Sequence, residues 1–277
     1  MESRKQQLIL VTHTDLDGEA AAAAYLRISS TPPNMALVFF AEPYSLHETM
    51  EDVVEIARPG DKVVIMDIGY NSDSTPKALE LIDKLVREGV TFEWYDHHVW
   101  GDDEASSVLR TGVRLFIDRS TCGAGVVIRY ASKVYGVQPD DYLARLESAV
   151  CSADLWTWKD PMAPRLMRAS GSSNGQAKTR WRLRMIEKLY SGVMWDDELN
   201  SRLIQYLSEE LRNSTNDLST ASVSRSGSCS AAAVLRRTEL PSDSIIGSAV
   251  ISRKAVDVAV IVKRKSFGEV SVSYTHL

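Results

Sequence analysis

The sequence predicts an α/β fold in which a mostly parallel, doubly wound sheet is joined by a helical linker to a smaller, incomplete α/β domain. Apolar strand-like runs alternate with helix-like segments over the first two thirds of the chain. That alternation is typical of parallel strands covered by helices on both faces. Strand-like runs return after a Ser-rich stretch near residue 220. We therefore expect a first domain over 1–178, a helical linker over 179–222 and a partial domain over 223–277.

The individual elements follow from periodicity and from the residues that end each segment. Short apolar runs predict five strands in the first domain, at 8–13, 36–41, 62–67, 91–95 and 113–117. Helical periodicity predicts helices at 19–28, 46–57, 76–88, 123–135 and 140–154. Pro59 and Gly60 end the second of these helices, and Gly89 ends the third. Beyond them a charged helical pattern covers 179–218, and strand patterns cover 230–236, 256–262 and 269–274.

Composition narrows the class of protein. The chain of 277 residues has a hydrophobic fraction of 44% and no apolar run long enough to span a bilayer, so we expect no membrane role. Its first residues contain no apolar signal core, from which we expect a cytoplasmic location. The net charge of -5 repels polyanions and argues against a protein that coats long nucleic acid. Cys122, Cys151 and Cys229 form no CxxC pair, so we expect small buried residues rather than disulfides or a zinc site.

The stretch HTDLDG directly after the first predicted strand carries the strongest chemical signal. In extended backbone His13, Asp15 and Asp17 share one face. Two other predicted strands end in residues of metal-ligand type, which are Asp67 in one strand and Asp96, His97 and His98 in the other. The carboxyl ends of parallel strands lie at one edge of the sheet, where open α/β folds place their ligand crevice. We therefore predict a site for divalent cations at this edge.

The length of the motif indicates two ions rather than one. Fully extended, His13 to Asp17 would span on the order of 13 Å, which is too far for a single ion. A curled segment that feeds two ions roughly 4 Å apart fits better, and Gly18 permits the bend. Carboxylate and imidazole ligands without thiolate favour Mn²⁺, with Mg²⁺ or Co²⁺ as substitutes.

Four segments in order, THTDLDG, MDIGY, YDHH and SADLWTWKDP, resemble the motifs of the DHH phosphoesterase superfamily. THTDLDG together with DLWTWKDPMAPRL is more narrowly similar to the nanoRNase B type of DHH protein, and the resemblance covers roughly the first 170 residues. It implies that Asp67 bridges two metal ions, that Asp96 orients a ligating histidine and that His98 contacts the substrate phosphate. The remaining implied ligands are His13 and Asp15 on one ion, and Asp17, His97 and Asp154 on the other.

The function that this resemblance implies is hydrolysis of phosphodiester bonds in short oligoribonucleotides, which releases mononucleotides. A water shared by two metal ions would have a pKa of about 7, and the resulting hydroxide would attack phosphorus in line. The alternatives within the same chemistry are a 3'-phosphoadenosine phosphate phosphatase, a cyclic nucleotide or cyclic dinucleotide phosphodiesterase and a pyrophosphatase. A non-catalytic, metal-dependent nucleotide sensor is an alternative of a different class.

Several of these residues also have ordinary structural interpretations. Asp17 is a good N-cap for the first helix, and Asp154 could be a solvated residue at a helix end. Trp156 and Trp158 could stack on a base, although core packing is the favoured role. The basic segment 178–188 around Trp181 could bind a phosphate backbone or form a solvated helix face. Residues 120–123 could hold a phosphate at a helix N-terminus or simply cap that helix.

The C-terminal part departs from the pattern of the family that the chain resembles. Such proteins carry a C-terminal substrate domain with a phosphate-binding arginine in a strand, followed by a GGH segment. Here EVSVSYTHL occupies the strand, Ser273 stands where the arginine is expected and no GGH segment follows. Either the chain is a fragment, or its tail is foreign to the gene, or this element is lost here, and we favour a fragment with an incomplete second domain. We expect the metal centre to survive this loss, and substrate affinity and selectivity to be reduced.

Overall fold

The computed structural model describes residues 6–171, 176–236, 238, 240–264 and 270–276. It divides into two compact units, Met1–Leu199 and Asn200–Leu277. Each unit contains a sheet with its own hydrophobic core. The three segments expected from the sequence, with boundaries after 178 and 222, stay a prediction.

The first unit is built on five parallel strands in the order β2-β1-β3-β4-β5. Their last residues are in register, since Thr12 lies opposite both Phe40 and Met66, and Met66 lies opposite Tyr95. All five strands were predicted, and the doubly wound α/β class is confirmed. The strands are β1 (Leu8–Thr12), β2 (Ala36–Phe40), β3 (Lys62–Met66), β4 (Thr91–Asp96) and β5 (Arg114–Ile117).

Helices cover both faces of this sheet. Along β1 the side chains alternate, so that Leu8 and Leu10 enter one core while Ile9 and Val11 enter the other. The alanine run of the first helix, from Ala20 to Ala24, is fully buried, which allows close approach of neighbouring helices. The helices of the first unit are α1 (Leu16–Ile28), α2 (Leu46–Ile56), α3 (Thr75–Arg87), α4 (Asp102–Arg110), α5 (Gly123–Tyr135), α6 (Asp141–Asp154), α7 (Ala163–Ser170) and α8 (Gln176–Tyr190). Helix α9 (Asp197–Ser219) begins at the end of this unit and belongs mostly to the second.

The second unit contains a mixed sheet in the order β6-β7-β8-β9, in which only β7 and β8 run parallel. The Ser-rich stretch that suggested a bend forms a hairpin, with Gly227 at a φ of 59° between its strands. Arg236 is almost fully buried and donates to Asp217 Oδ2 at 3.0 Å. The elements are β6 (Ser222–Ser226), β7 (Cys229–Arg236), α10 (Asp243–Lys254), β8 (Val258–Arg264) and β9 (Val270–His276).

The cysteines correct one sequence prediction. Cys122, directly before α5, and Cys151 in α6 form a disulfide with an S–S distance of 2.07 Å. Cys122 is buried and Cys151 is partly buried, whereas Cys229 is exposed and free. The expectation of three small buried residues without a disulfide is therefore wrong. The bond links two helices that pack together although 29 positions separate the cysteines in the chain.

The helices give no indication of a membrane span. Among those in the described part of the chain, none combines the length and the apolar character that crossing a bilayer requires.

Candidate metal centre

The carboxyl ends of the parallel strands bring the predicted ligand residues together. His13 follows β1 directly, Asp67 follows β3, Asp96 ends β4 and His97 comes next. Asp154 reaches the same place as the last residue of α6. Because the strand ends are in register, side chains that are distant in sequence become neighbours.

One group consists of His13, Asp15 and Asp67. His13 Nδ1 lies 3.1 Å from Asp15 Oδ2 and 3.7 Å from Asp67 Oδ2. The three ligand atoms of this group all lie within 4.8 Å of one another, which is close enough to surround one ion. We call this group the first triad.

A second triad consists of Asp17, His97 and Asp154. His97 Nε2 lies 3.8 Å from Asp17 Oδ2 and 3.6 Å from Asp154 Oδ2. The ligand atoms again lie within 4.8 Å of one another. The grouping of these residues is the one that the sequence motifs implied, although their roles as ligands stay a prediction.

Asp67 belongs to the first triad and also faces the second. Its Oδ2 faces His13, and its Oδ1 lies 3.3 Å from His97 Nε2. The residue is buried and adopts a φ of 56°, while its backbone N–H donates to Tyr95 O at 2.9 Å. A non-glycine residue in this region is uncommon and is held there by its surroundings. One carboxylate thus presents an oxygen to each triad, as a bridging ligand must.

Helix α5 holds Asp17 in place. Its first backbone amides, those of Gly123 and Ala124, donate to the two Asp17 oxygens at 2.6 and 2.8 Å. The buried carboxylate therefore occupies the positive end of this helix. The idea that residues 120–123 offer these amides to a phosphate is wrong. The N-cap of α1 is Asp15, which accepts from Gly18 N at 3.0 Å, so Asp17 does not serve as that cap.

The electrostatics of the triads favour a cation. Burial and the neighbouring Asp67 raise the pKa of Asp154 to about 6, and burial with the same neighbour raises the pKa of Asp17 well above its usual range. Asp154 Oδ2 is buried and accepts no hydrogen bond. Carboxylates that repel one another, one of them with a buried oxygen that accepts no hydrogen bond, fit a site completed by positive charge.

Neighbouring carboxylates also raise the pKa values of His13 and His97. Burial alone would lower the pKa of His13, but Asp15, Asp67 and Glu42 together raise it far above the usual range. Burial would also lower the pKa of His97, but its hydrogen bond to Asp67 raises this pKa. Protons thus supply positive charge that a divalent cation would replace on binding.

Asp96 and His98 form a pair beside the triads. His98 Nδ1 lies 2.9 Å from Asp96 Oδ1, and the hydrogen bond with Asp96 raises the pKa of His98 to about 9. The other Asp96 oxygen accepts from His98 N at 3.1 Å and from Trp100 Nε1 at 2.6 Å. Asp96 therefore fixes His98, and the implied role of Asp96 in orienting a ligating histidine stays a prediction. His98 also belongs to a third possible ligand group, with Asp67 and His97.

Sequence reasoning missed Glu42, which lies two residues beyond β2 at the same edge of the sheet. Its Oε2 lies 3.1 Å from His13 Nε2, and its Oε1 accepts from the Thr14 hydroxyl. The hydrogen bond with His13 lowers the pKa of Glu42. An acidic residue just after a fourth strand end was the signal that could have identified it.

The tryptophans are arranged differently from the expectation. Trp156 and Trp158 are 40% and 37% exposed, so the favoured core role is wrong for both. Trp181 is buried and donates from Nε1 to Ala169 O at 2.9 Å, and Arg182 and Lys188 are also buried. The segment 178–188 is therefore not a continuous solvated basic face with an available aromatic ring.

Comparisons with known proteins identify the fold. No family model matches the chain, and no curated protein matches it in sequence. Among solved structures, the DHH domain of a member of the s1p family of ribosomal proteins has a TM-score of 0.62 at 13% identity, covering 93% of this chain and 71% of its own. An exonuclease RecJ bound to manganese has a TM-score of 0.60 at 16% identity, covering 93% and 76%.

RecJ from Thermus thermophilus in complex with Mn²⁺ is also similar, with a TM-score of 0.58 at 16% identity, covering 93% of this chain and 43% of that protein. The chain therefore has the α/β fold of a DHH domain. At these identities the similarity is one of fold, and the chemistry must be argued from the residues of this chain.

Proposed function

We propose that this chain is a metal-dependent phosphoesterase of the DHH type. The observation that carries the proposal is that two triads of carboxylate and imidazole ligands adjoin at the strand ends, where Asp67 of the first triad also faces His97 of the second. Their donor set suits Mn²⁺, with Mg²⁺ or Co²⁺ as substitutes. Manganese bound by solved exonucleases of the same fold supports this choice.

Each triad would hold one of two ions. His13 and Asp15 would bind one ion, Asp17, His97 and Asp154 would bind the other, and Asp67 would contribute an oxygen to each. Bound there, such ions would polarise a phosphoryl oxygen and acidify a water for attack on phosphorus.

His98 is suited to neutralising charge on the substrate. Asp96 holds its Nδ1, which leaves Nε2 on the half-exposed ring to donate to a non-bridging phosphoryl oxygen. The raised pKa of about 9 keeps this imidazole protonated near neutral pH. Charge that develops on the phosphoryl group would thus meet a fixed cation, while buried Asp96 prevents the ring from turning away.

The substrates that we propose are short oligoribonucleotides, cleaved to mononucleotides. The net charge of -5 disfavours a long polyanion, and the exonucleases of the same fold support a nucleic acid substrate. The related phosphatase, cyclic nucleotide phosphodiesterase and pyrophosphatase reactions need the same centre and differ in how the leaving group is bound. We also propose a cytoplasmic location.

The test of the phosphoesterase is Mn²⁺-dependent release of nitrophenol from bis-p-nitrophenyl phosphate, combined with isothermal titration of Mn²⁺. We expect Asp67→Asn to lower turnover by about 100-fold or more and to reduce the number of bound ions, because one oxygen of the shared carboxylate is lost. Asp73→Asn is the matched control, since Asp73 is an exposed residue farther along the same loop. Near-normal turnover and two bound ions in Asp67→Asn would contradict the proposed centre.

A substrate panel separates the remaining possibilities. It contains RNA of two to five nucleotides, cyclic dinucleotides, 3'-phosphoadenosine phosphate and pyrophosphate. We expect the fastest turnover on the RNA series. Comparable rates on pyrophosphate and RNA dimers would exclude our choice of substrate, and bound metal without turnover on any compound would favour the sensor.

A further inference from the structure

Trp156 and Trp158 lie in a short exposed segment that leaves the candidate metal centre. Asp154 ends α6, and the next five residues, 155–159, are all exposed. Consecutive Cα atoms are about 3.8 Å apart, so Trp156 Cα lies within about 8 Å of Asp154 Cα. Tryptophan is buried on average in folded proteins, so two exposed indoles separated by a single residue require an explanation.

The segment is fixed rather than loosely attached. Trp156 N donates to Ala153 O at 3.2 Å and Trp158 N donates to Ser152 O at 3.0 Å, which ties the backbone to the end of α6. Asp160 N donates to Ser152 Oγ at 2.9 Å and continues the attachment. Both tryptophans adopt positive φ angles, 54° and 52°. Non-glycine residues stay in this region only where the surrounding contacts hold them, and such strain concentrates at functional sites.

The two indoles form a corner. Their ring centroids are 5.0 Å apart and their planes are nearly perpendicular, at 88°. A flat aromatic ligand that enters this corner can stack on the face of one indole while its edge meets the other. Lys159 is exposed next to Trp158, so the segment also offers a positive charge. Aromatic faces combined with a basic side chain are the means by which proteins hold single-stranded nucleotides.

We propose that Trp156 and Trp158 form a stacking site for one nucleobase of the substrate, with Lys159 beside it. This inference rests on the proposed phosphoesterase function and gives its substrate a chemical class, a phosphoester that carries a base. Trp156 lies two residues after Asp154, so one ligand would place its base on the indoles and its phosphate at the triads. Stacking energy from a remote base would position the phosphate for attack.

The experiment compares two probes on the full chain loaded with Mn²⁺. Adenosine 5'-monophosphate carries the base and ribose 5-phosphate lacks it, and isothermal titration measures the affinity of each. We expect the wild-type protein to bind the nucleotide about 10-fold or more tightly than the sugar phosphate. The double variant Trp156→Leu with Trp158→Leu should lose this preference and keep its affinity for ribose 5-phosphate.

Controls separate stacking from folding. Trp156→Phe and Trp158→Phe keep an aromatic face and should retain most of the preference for the nucleotide. Met35→Ala removes another exposed apolar side chain, just before β2 at the opposite edge of the sheet, and should bind both probes as the wild type does. Mn²⁺ titration of each variant reports whether the neighbouring centre is intact.

The remaining outcomes would overturn either the stacking site or the proposed function. Equal affinity of the Mn²⁺-loaded wild type for the two probes, or a leucine variant that keeps its preference, would overturn the stacking site and leave the phosphoesterase standing. A changed oligomeric state of the leucine variant with unaltered nucleotide affinity would assign the pair to an interface between copies and overturn it too. Failure of the wild type to bind Mn²⁺ or to hydrolyse bis-p-nitrophenyl phosphate would instead remove the proposed function.

Discussion

At the scale of single residues, His13 shows how a residue outside the two triads supports the centre. Its Nδ1 faces Asp15 and Asp67, and its Nε2 lies 3.1 Å from Glu42 Oε2. Histidines that bind metals usually donate their second ring N–H to a carboxylate or carbonyl, which fixes the ring and increases its basicity. The Thr14 hydroxyl holds the other Glu42 oxygen. Glu42 is therefore in position to orient His13 without touching an ion at the first triad.

A pair of Glu42 substitutions tests this role. Glu42→Ala leaves His13 Nε2 without its acceptor, and we expect Mn²⁺ affinity to fall by about 10- to 100-fold. Glu42→Gln keeps an oxygen acceptor and should lose clearly less. Titration calorimetry with Mn²⁺ measures both variants, with Glu48→Ala as the control because Glu48 is exposed on α2. If Glu42→Ala bound Mn²⁺ as tightly as the wild type, Glu42 would have no part in positioning His13.

At the scale of elements, the first turn of α5 organises the centre. Its amides hold Asp17, and the absence of a side chain at Gly123 makes room for Asp67. A Cβ at position 123 would lie 2.7 Å from both Cβ and Oδ1 of Asp67, closer than real atoms approach. One helix terminus thus sets the positions of Asp17 in the second triad and of Asp67, which faces both triads.

Gly123→Ala separates this role from helix stability. Alanine is the better helix former by about 1 kcal/mol within a helix, so propensity alone predicts no loss of folding. We expect the added methyl group to displace Asp67 and to weaken Mn²⁺ binding by at least about 10-fold, as loss of a supporting contact does. Gly101→Ala, at the N-terminus of α4 with its nearest atoms at 3.5 Å, is the matched control. Unchanged Mn²⁺ affinity in Gly123→Ala would show that Asp67 needs no such space.

The elements also show what the sequence could predict. Strand runs with β-branched residues and helices ended by glycine or proline are local signals, and the five strands of the first sheet are confirmed. The short helix α4 was missed because its DDEASSVLR segment is mostly polar and exposed. The ligand groups were predictable as a set, since parallel strands bring their carboxyl ends together whatever the loops between them do.

Other features depend on three-dimensional neighbours that no local pattern encodes. The Cys122–Cys151 bond requires that α5 and α6 pack side by side, and the Asp17 contact requires the N-terminus of α5, more than 100 positions away. The exposed Trp156 and Trp158 lie in a segment whose backbone is hydrogen-bonded to the end of α6. A hydrophobic residue type alone predicts burial, which is why the core role was favoured.

At the scale of the whole molecule, the candidate centre lies entirely within the first of two compact units. All of its ligand residues, from His13 to Asp154, precede position 200, and the second unit has a separate core around Val234 and Val250. A ligand that binds only the folded state stabilises the part of the protein that forms its site. Mn²⁺ should therefore act unequally on the two units.

Hydrogen exchange with and without Mn²⁺ measures this inequality. At a free concentration of 100 times Kd, one site adds about 2.7 kcal/mol to the free energy of unfolding, which slows exchange through unfolding by about 100-fold. We expect that slowing for the amides of β1 and β3, because the bound ion removes the mutual repulsion of the carboxylates at the candidate centre. Amides of β7 and β8 should exchange at the same rate with and without the ion. Asp67→Asn removes one oxygen of the carboxylate that faces both triads and should abolish most of the effect in β1 and β3. Equal slowing of all four strands in the wild type would show that ion binding stabilises both units together.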